Sequence, residues 1–417
     1  MGLPAVDEER PATYRELLGL VEYRAVFAAS MLSWIGDYLC KAAVASLVFD
    51  RTGSALASAA AFAVGYLPWI TAGPLLAAVA ERYAPRSVMI PCDLARAALI
   101  ALVAVPGIPV PALFVLLFAS GLLAPPFEAA RSAQLPQILP GDLYPLGLAL
   151  NASTVQLAQV VGYAAGGMIA AYSQRTALLL NAATFLGSAF LLRRYVKYRP
   201  AALSVAQRVG LLRETCQGFA VVFGHPLMRA IAFIVFGAVT FVIVPEGLAA
   251  AWASELGGGG MIQGLIMAAN PLGVGIGGLL LSRRLRLRTR TRLLRALAVS
   301  APLSLVPALF SPPLAGVLIM VCASGLVMSL LLPTAQTVFK SVLPHEYRSR
   351  AFGVMSSGMQ TAQGAAILAT GALNEDFSTS IVIGTWCAVG TLLMLLVTYR
   401  MIIPYETLDS SRSAKVD

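Results

Sequence analysis

Three ionisable residues stand inside long apolar stretches of this sequence: Asp37, Lys41 and Glu246. A charge at the centre of a membrane helix costs roughly 2.5–3.5 kcal/mol on insertion scales, so such residues are seldom retained without a use. The chemistry open to them is proton uptake and release, or a hold on a polar group of a substrate. Lys41 follows Asp37 by one helical turn on the same face, so the alternative for this pair is a permanent ion pair that only stabilises its helix. Glu246, directly after Pro245, has no opposite charge in reach on its own helix. Its alternative is an acid at the level of the lipid headgroups.

Other chemistries find no support. The two histidines, His225 and His345, sit in polar connections, so a histidine-based metal centre is not expected. Cys40, Cys92, Cys216, Cys322 and Cys387 share no ligand spacing and form an odd, scattered set, which reads as small buried hydrophobes and not as a disulfide framework. No close Ser/Asp or Cys/His set lies in the apolar stretches. An enzyme is therefore not expected, and no catalytic or metal residue is assigned.

The elements that must position these charges follow from composition. Of the 417 residues 58% are hydrophobic and only 12% charged, and the mean hydropathy is +0.78. Soluble domains carry about 25% charged residues, so the chain reads as a polytopic membrane protein. At about 20 apolar residues per crossing the sequence predicts twelve helical spans, at 25–48, 55–79, 88–105, 110–127, 147–172, 177–193, 229–252, 261–281, 293–310, 313–334, 351–372 and 379–401. Residues 1–24 are charged and lack a short apolar core, which reads as a cytoplasmic lead-in and not as a cleaved signal. With the N-terminus inside, 26 of the 30 Lys and Arg fall on the cytoplasmic side. Both termini are then cytoplasmic, and the net charge of +10 is a topology signal and not a nucleic-acid footprint.

The chain also repeats itself at an offset of 204 residues, where Ala119-Ser120-Gly121-Leu122 recurs as Ala323-Ser324-Gly325-Leu326. In the same register Gly53 matches Gly257, Gly73 matches Gly277, Arg82 matches Arg286, and Pro109 matches Pro313. Gln156 and Gln159 in span five match Gln360 and Gln363 in span eleven. Glutamines hydrogen-bond across membrane helices, so these four are expected to make polar contacts. Small-residue runs from Gly162 to Gly167 and from Gly273 to Gly278 permit close helix approach. The expected organisation is a cytoplasmic segment (1–24), a six-helix bundle (25–193), a basic linker (194–228), a second six-helix bundle (229–401) and a cytoplasmic tail (402–417). The linker carries Val205, Val209, Leu212, Cys216, Phe219 and Val222 at helical spacing, with Arg208 and Arg213 placed to meet lipid headgroups. Six spans per repeat give two parallel repeats, a recurring transporter design.

With these features the sequence resembles the major facilitator superfamily over about residues 20–400. The local motifs are Gly36-Asp37, Thr52-Gly53-Ser54, Gly73-Pro74-Leu75, Asp93-Leu94-Ala95-Arg96, Ala130-Arg131-Ser132-Ala133 with Leu135-Pro136, and His225-Pro226-Leu227. They are similar to those of its drug-efflux branch, among macrolide exporters and enterobactin-type siderophore exporters. The resemblance implies an all-α membrane fold of twelve helices in two parallel repeats. It also implies a multi-pass monomer in the bacterial cytoplasmic membrane that exports a small-molecule substrate by alternating access. Such a protein needs no cofactor, the proton gradient being its energy source, with Asp37, Lys41 and Glu246 as the coupling residues. A lipid or lysolipid flippase and a sensor without flux are the alternatives on the same scaffold.

The superfamily's inner-loop signature, G-x-L-a-D-r-x-G-r-k, stands here as Ala77 to Arg86, with Glu81 at the acid position, Arg82 and Arg86 at basic ones, and alanine for both glycines. By the resemblance Glu81, Arg82 and Arg86 form a cytoplasmic gate. It also implies that spans five and eleven bound the interface between the repeats, which places the contacts of Gln156, Gln159, Gln360 and Gln363 there. Asp93 and Arg96, at the inner end of span three, are expected to join that charge network by pairing with Arg82, Arg86 or Arg131. The antiporter motif of span five reads Ala158 to Gly167, with Tyr163 in place of its kinking proline. Arg131 falls beyond the expected end of span four, so the buried arginine of many drug/proton antiporters is not expected there.

Overall fold

The computed structural model describes residues 13–80, 82–200, 211–284, 287–344 and 347–400, and among them the regular structure is helical, without a strand. Each expected span coincides with helix. Span one runs Val21–Thr52 and ends where Gly53 turns left-handed at φ 66°, its N–H returning to the Phe49 carbonyl at 2.8 Å. Ser54 then caps span two by accepting from the Ala57 N–H at 3.0 Å. The Thr52-Gly53-Ser54 motif is thus a helix stop followed by a helix start. Its repeat mate Gly257 is also left-handed, at φ 73°.

Span two is broken into Ala55–Ala63, Leu67–Ile70 and Gly73–Ala80. A Cβ on Gly73 would meet the Pro68 carbonyl and stand 2.8 Å from Pro125 Cγ, so only glycine fits this bend against span four. Span three is Pro85–Val103. Span four runs Val110–Leu122 and, after Leu123, continues as Ala124–Ile138, well past its expected end. Spans five and six form Leu143–Tyr195, broken at Ser173 by non-helical φ −164° and ψ 106°. In the second repeat span seven is divided into Pro226–Val242, Val244–Gly247 and Ala249–Glu255. Span eight is Gly260–Arg284. Span nine is Leu294–Leu303 with a 3-10 turn at Val306–Phe310, and the last three are Leu314–Val342, Arg348–Leu373 and Thr379–Arg400. Seven helices among the described residues are long and apolar enough to cross a membrane, the one at Leu143–Tyr195 covering two spans. Spans two, three, nine and eleven are interrupted by proline or are more polar.

The chain divides into two compact units, Met1–Arg208 with Ala249–Leu272, and Val209–Leu248 with Gly273–Asp417. In the first, Gly162 and Gly166 let span five lie on the backbone of span one at Ile35 and Leu39, with 2.7 Å from a Gly166 Cβ to the Leu39 carbonyl. Gly167 meets the backbone of Gly260 and Gly264 at the start of span eight, and Gln263 donates to the Ala42 carbonyl at 2.9 Å. Those contacts explain why the start of span eight belongs to this unit. In the second unit Gly273 packs on the Cys322 carbonyl and Gly277 on that of Leu326, so the second small-residue run brings spans eight and ten together. The linker helix Leu211–Gly224 is tied to span eleven by Arg350, which donates to Gln217 Oε1 at 2.8 Å. Val205, Arg208 and Val209 lie outside the described residues.

Candidate functional site

Two apolar clusters divide the first unit, and a polar layer lies between them. One cluster gathers Leu39 to Val48 of span one, Ala97 to Val103 of span three, and Ala177 to Phe185 of span six. The other gathers Leu17 to Ala29, Met89 and Cys92, and Leu192 with Val196. Between them on the same helices lie the polar side chains of Ser30, Ser33 and Asp37, then Asp93 and Arg96, then Ser188. Helical spacing puts each set on one face, and Gly36 lets the helices meet there. A Cβ at Gly36 would collide with Thr184 Oγ1 and Asn181 Oδ1 of span six.

In this layer Arg96 Nη2 donates to Asp37 Oδ1 at 2.5 Å, with side-chain exposures of 6% and 32%. The guanidinium lies 4.2 Å from the centroid of the Phe185 ring. Ser188 Oγ donates to Asp93 Oδ2, also at 2.5 Å, and Asp93 is fully buried. Two expectations are corrected here. The ion pair of Asp37 is made with Arg96 across helices, not with Lys41 along its own. Asp93 and Arg96 belong to this inner layer and not to a charge network with Arg82, Arg86 and Arg131.

Lys41 points into aromatic rings, its Nζ 5.2 Å from the Tyr38 centroid, 5.5 Å from Phe62 and 5.4 Å from Tyr66. Rings at these distances stabilise a cation held out of water. Glu246 is buried, in the short turn Val244–Gly247 that interrupts span seven.

The remaining gate residues go separate ways. Arg86 donates to the Arg193 carbonyl at 2.6 Å, satisfying an end carbonyl of span six. Arg82 is exposed, and Glu81 lies outside the described residues. Arg131 is on the continued helix of span four, its side chain 12% exposed, and pairs with Glu128 at 2.5 Å. A shielded arginine in span four is therefore present after all. Glu128 also accepts from Trp34 Nε1 at 3.2 Å, and Arg131 lies 5.0 Å from the centroid of the Trp34 ring. Glu128 is absent from the residues singled out in the sequence because it falls just beyond the expected end of span four at 127, although its i, i+3 spacing to Arg131 was visible. Gln363 donates to Gln360 Oε1 at 3.4 Å and to the Met359 carbonyl at 3.3 Å, so this pair bonds within its own helix. Gln156 and Gln159 are half-buried on span five. The buried glutamine that does bond to another helix is Gln263, on Ala42.

A helical membrane protein with paired charges inside its spans has the makings of a transporter. The sequence profile of the Major Facilitator Superfamily matches residues 26–246 and 231–416, and the chain belongs to that family. It is 34% identical over 136 residues to uncharacterized MFS-type transporters of Mycobacterium bovis and Mycobacterium tuberculosis, which is 31% of this chain and 31% of each relative. The match thus spans about a third of the length of those curated relatives. Among solved structures, a POT family transporter in complex with a thioalcohol-conjugated peptide is similar at TM-score 0.71 and 12% identity, over 92% of this chain and 95% of that one. The nucleoside transporter NupG is similar at TM-score 0.67 and 12% identity, over 90% and 97%. At such identities the likeness shows the fold, which is the twelve-helix major facilitator fold.

Proposed function

We propose that this transporter is a secondary active exporter that couples proton entry to the outward movement of a small organic compound by alternating access. Its place is the bacterial cytoplasmic membrane, with both termini inside, and it works as a monomer without a cofactor. The observation that carries this reading is the Asp37–Arg96 pair, in which the carboxylate is the more open partner and the cation is sealed behind it. An acid so placed can take a proton from one side and release it to the other, and its charge state decides whether it holds Arg96. The motif resemblance to the drug-efflux branch supports export and an amphipathic or apolar cargo.

The test reconstitutes the full chain in phosphatidylethanolamine–phosphatidylglycerol vesicles with an acid interior, using a macrolide and a catecholate siderophore as probes. At least one probe accumulates inside, accumulation stops when the proton gradient is collapsed, and Asp37→Asn lowers the rate to that of empty vesicles. No accumulation of either probe, or accumulation indifferent to the gradient, overturns the reading.

A further inference from the structure

Two buried atoms of span three are complementary and unused. Arg96 Nε makes no hydrogen bond among the described residues, and neither does Asp93 Oδ1. One is a donor and the other an acceptor, three residues apart on one helical face. A guanidinium offers five N–H donors in a planar fork, of which Asp37 engages only Nη2. Asp93 is held by its other oxygen, Oδ2, on Ser188, which leaves Oδ1 open.

We infer that Arg96 is a positioning residue with two docking places: it holds Asp37 while that carboxylate is ionised and turns to Asp93 when Asp37 takes up a proton. Asp93 is fully buried, whereas Asp37, with 32% of its side chain exposed, is open to water. Once neutral, it no longer balances a cation sealed in an apolar bundle, where an uncompensated charge is strongly unfavourable. Asp93 is the acid next to that cation with an acceptor to spare. The Phe185 ring beneath the guanidinium lets it keep a favourable face while its donors change partner. The other ionisable groups around the cluster are Lys41 and Cys40 on span one, Cys92 on span three and Glu128 on span four. Lys41 sits over its rings and Glu128 is engaged by Arg131 and Trp34. Span six contributes the neutral Asn181, Thr184 and Ser188, and on span five Tyr163 packs on Tyr38. The switch rests on the proton-coupling reading above and names its moving part. Its test uses neither substrate nor gradient, so the two fail separately.

The full chain is purified in detergent micelles and its thermal midpoint measured. Asp37→Asn leaves Arg96 with Asp93, and Asp93→Asn leaves it with Asp37, so each single variant is folded with a modest drop in midpoint. The double variant leaves a buried cation without a counter-charge: its midpoint falls by more than the two single drops together, or folded protein is lost. Adding Arg96→Met to the double variant restores it. Additive drops, or no restoration by Arg96→Met, overturn the switch. Should Asp93→Asn alone fail to fold, Asp93→Asn with Arg96→Met decides: recovery supports Asp93 as a partner of Arg96, and no recovery overturns it.

Discussion

Arg96 holds Asp37 at 2.5 Å while its guanidinium lies 4.2 Å from the Phe185 centroid, so one cation is shared between a carboxylate of span one and a ring of span six. Arg96→Lys keeps the charge but gives up the planar fork and much of the stacking. The expected cost is about 1–2 kcal/mol, read as a lower thermal midpoint of the purified chain. An unchanged midpoint would mean that charge alone is what this site requires.

Two glycine-to-alanine changes should move stability in opposite directions. At Gly166 a Cβ would stand 2.7 Å from the Leu39 carbonyl oxygen and 2.8 Å from Leu39 Cα, both backbone atoms that cannot rotate away. Span five would have to move off span one, at about 1–3 kcal/mol. At Gly275, inside the helix Gly260–Arg284, nothing lies within 4 Å of a Cβ. Alanine there stabilises by up to about 1 kcal/mol through helix propensity. Midpoints of the two variants, measured side by side, check the contrast, and a loss at both positions would contradict it.

Along one helix, spacing names neighbours, which is why Asp37 first suggested Lys41. The partner it takes, Arg96, is 59 residues away in sequence, and only the packing of spans one, three and six selects it. Apolar runs and the repeat made the twelve spans legible, and the left-handed turns at Gly53 and Gly257 bear out their register. The polar layer was half legible. Its charges stood out, but Ser188 and Asn181 are small neutral residues of a kind that also occurs as helix filler. The gate motif, read as one charge network, combined residues that the helices carry to different depths, since Arg96 lies ten residues further along span three than Arg86.

Glu22, at the start of span one, ties the chain leaving span six. It accepts from the Lys197 N–H at 3.0 Å and from Arg199 Nη2 at 2.9 Å, with a second Arg199 contact through Nη1. The two side chains are 14% and 25% exposed, which places the pair between a surface and a buried bridge. Glu22→Gln is expected to cost about 1 kcal/mol. Because the pair is partly open, salt screens it, and the difference in midpoint between wild type and variant shrinks as sodium chloride rises. A difference independent of salt would assign the cost to lost hydrogen bonds alone.

Glu246 lies where span seven gives up regular helix, in the turn Val244–Gly247 between Pro226–Val242 and Ala249–Glu255. The turn is pressed against span eleven: a Cβ on Gly247 would stand 2.8 Å from two side-chain carbons of Ile367. Glu246 itself is buried, at 4% exposure. A buried acid at a break in a helix is suited to a change of charge state, since the turn can re-form its hydrogen bonds without bending a whole span. Two substitutions one residue apart separate chemistry from packing. Glu246→Gln keeps shape and removes the titrating group, so the chain should still fold but lose gradient-driven accumulation of the probe. Gly247→Ala keeps the acid and crowds Ile367, so it should destabilise the chain by about 1–3 kcal/mol, read as a lower thermal midpoint, and Ile367→Ala, which removes both crowding carbons, should recover part of that loss. Normal gradient-driven transport in Glu246→Gln would exclude a coupling role for Glu246.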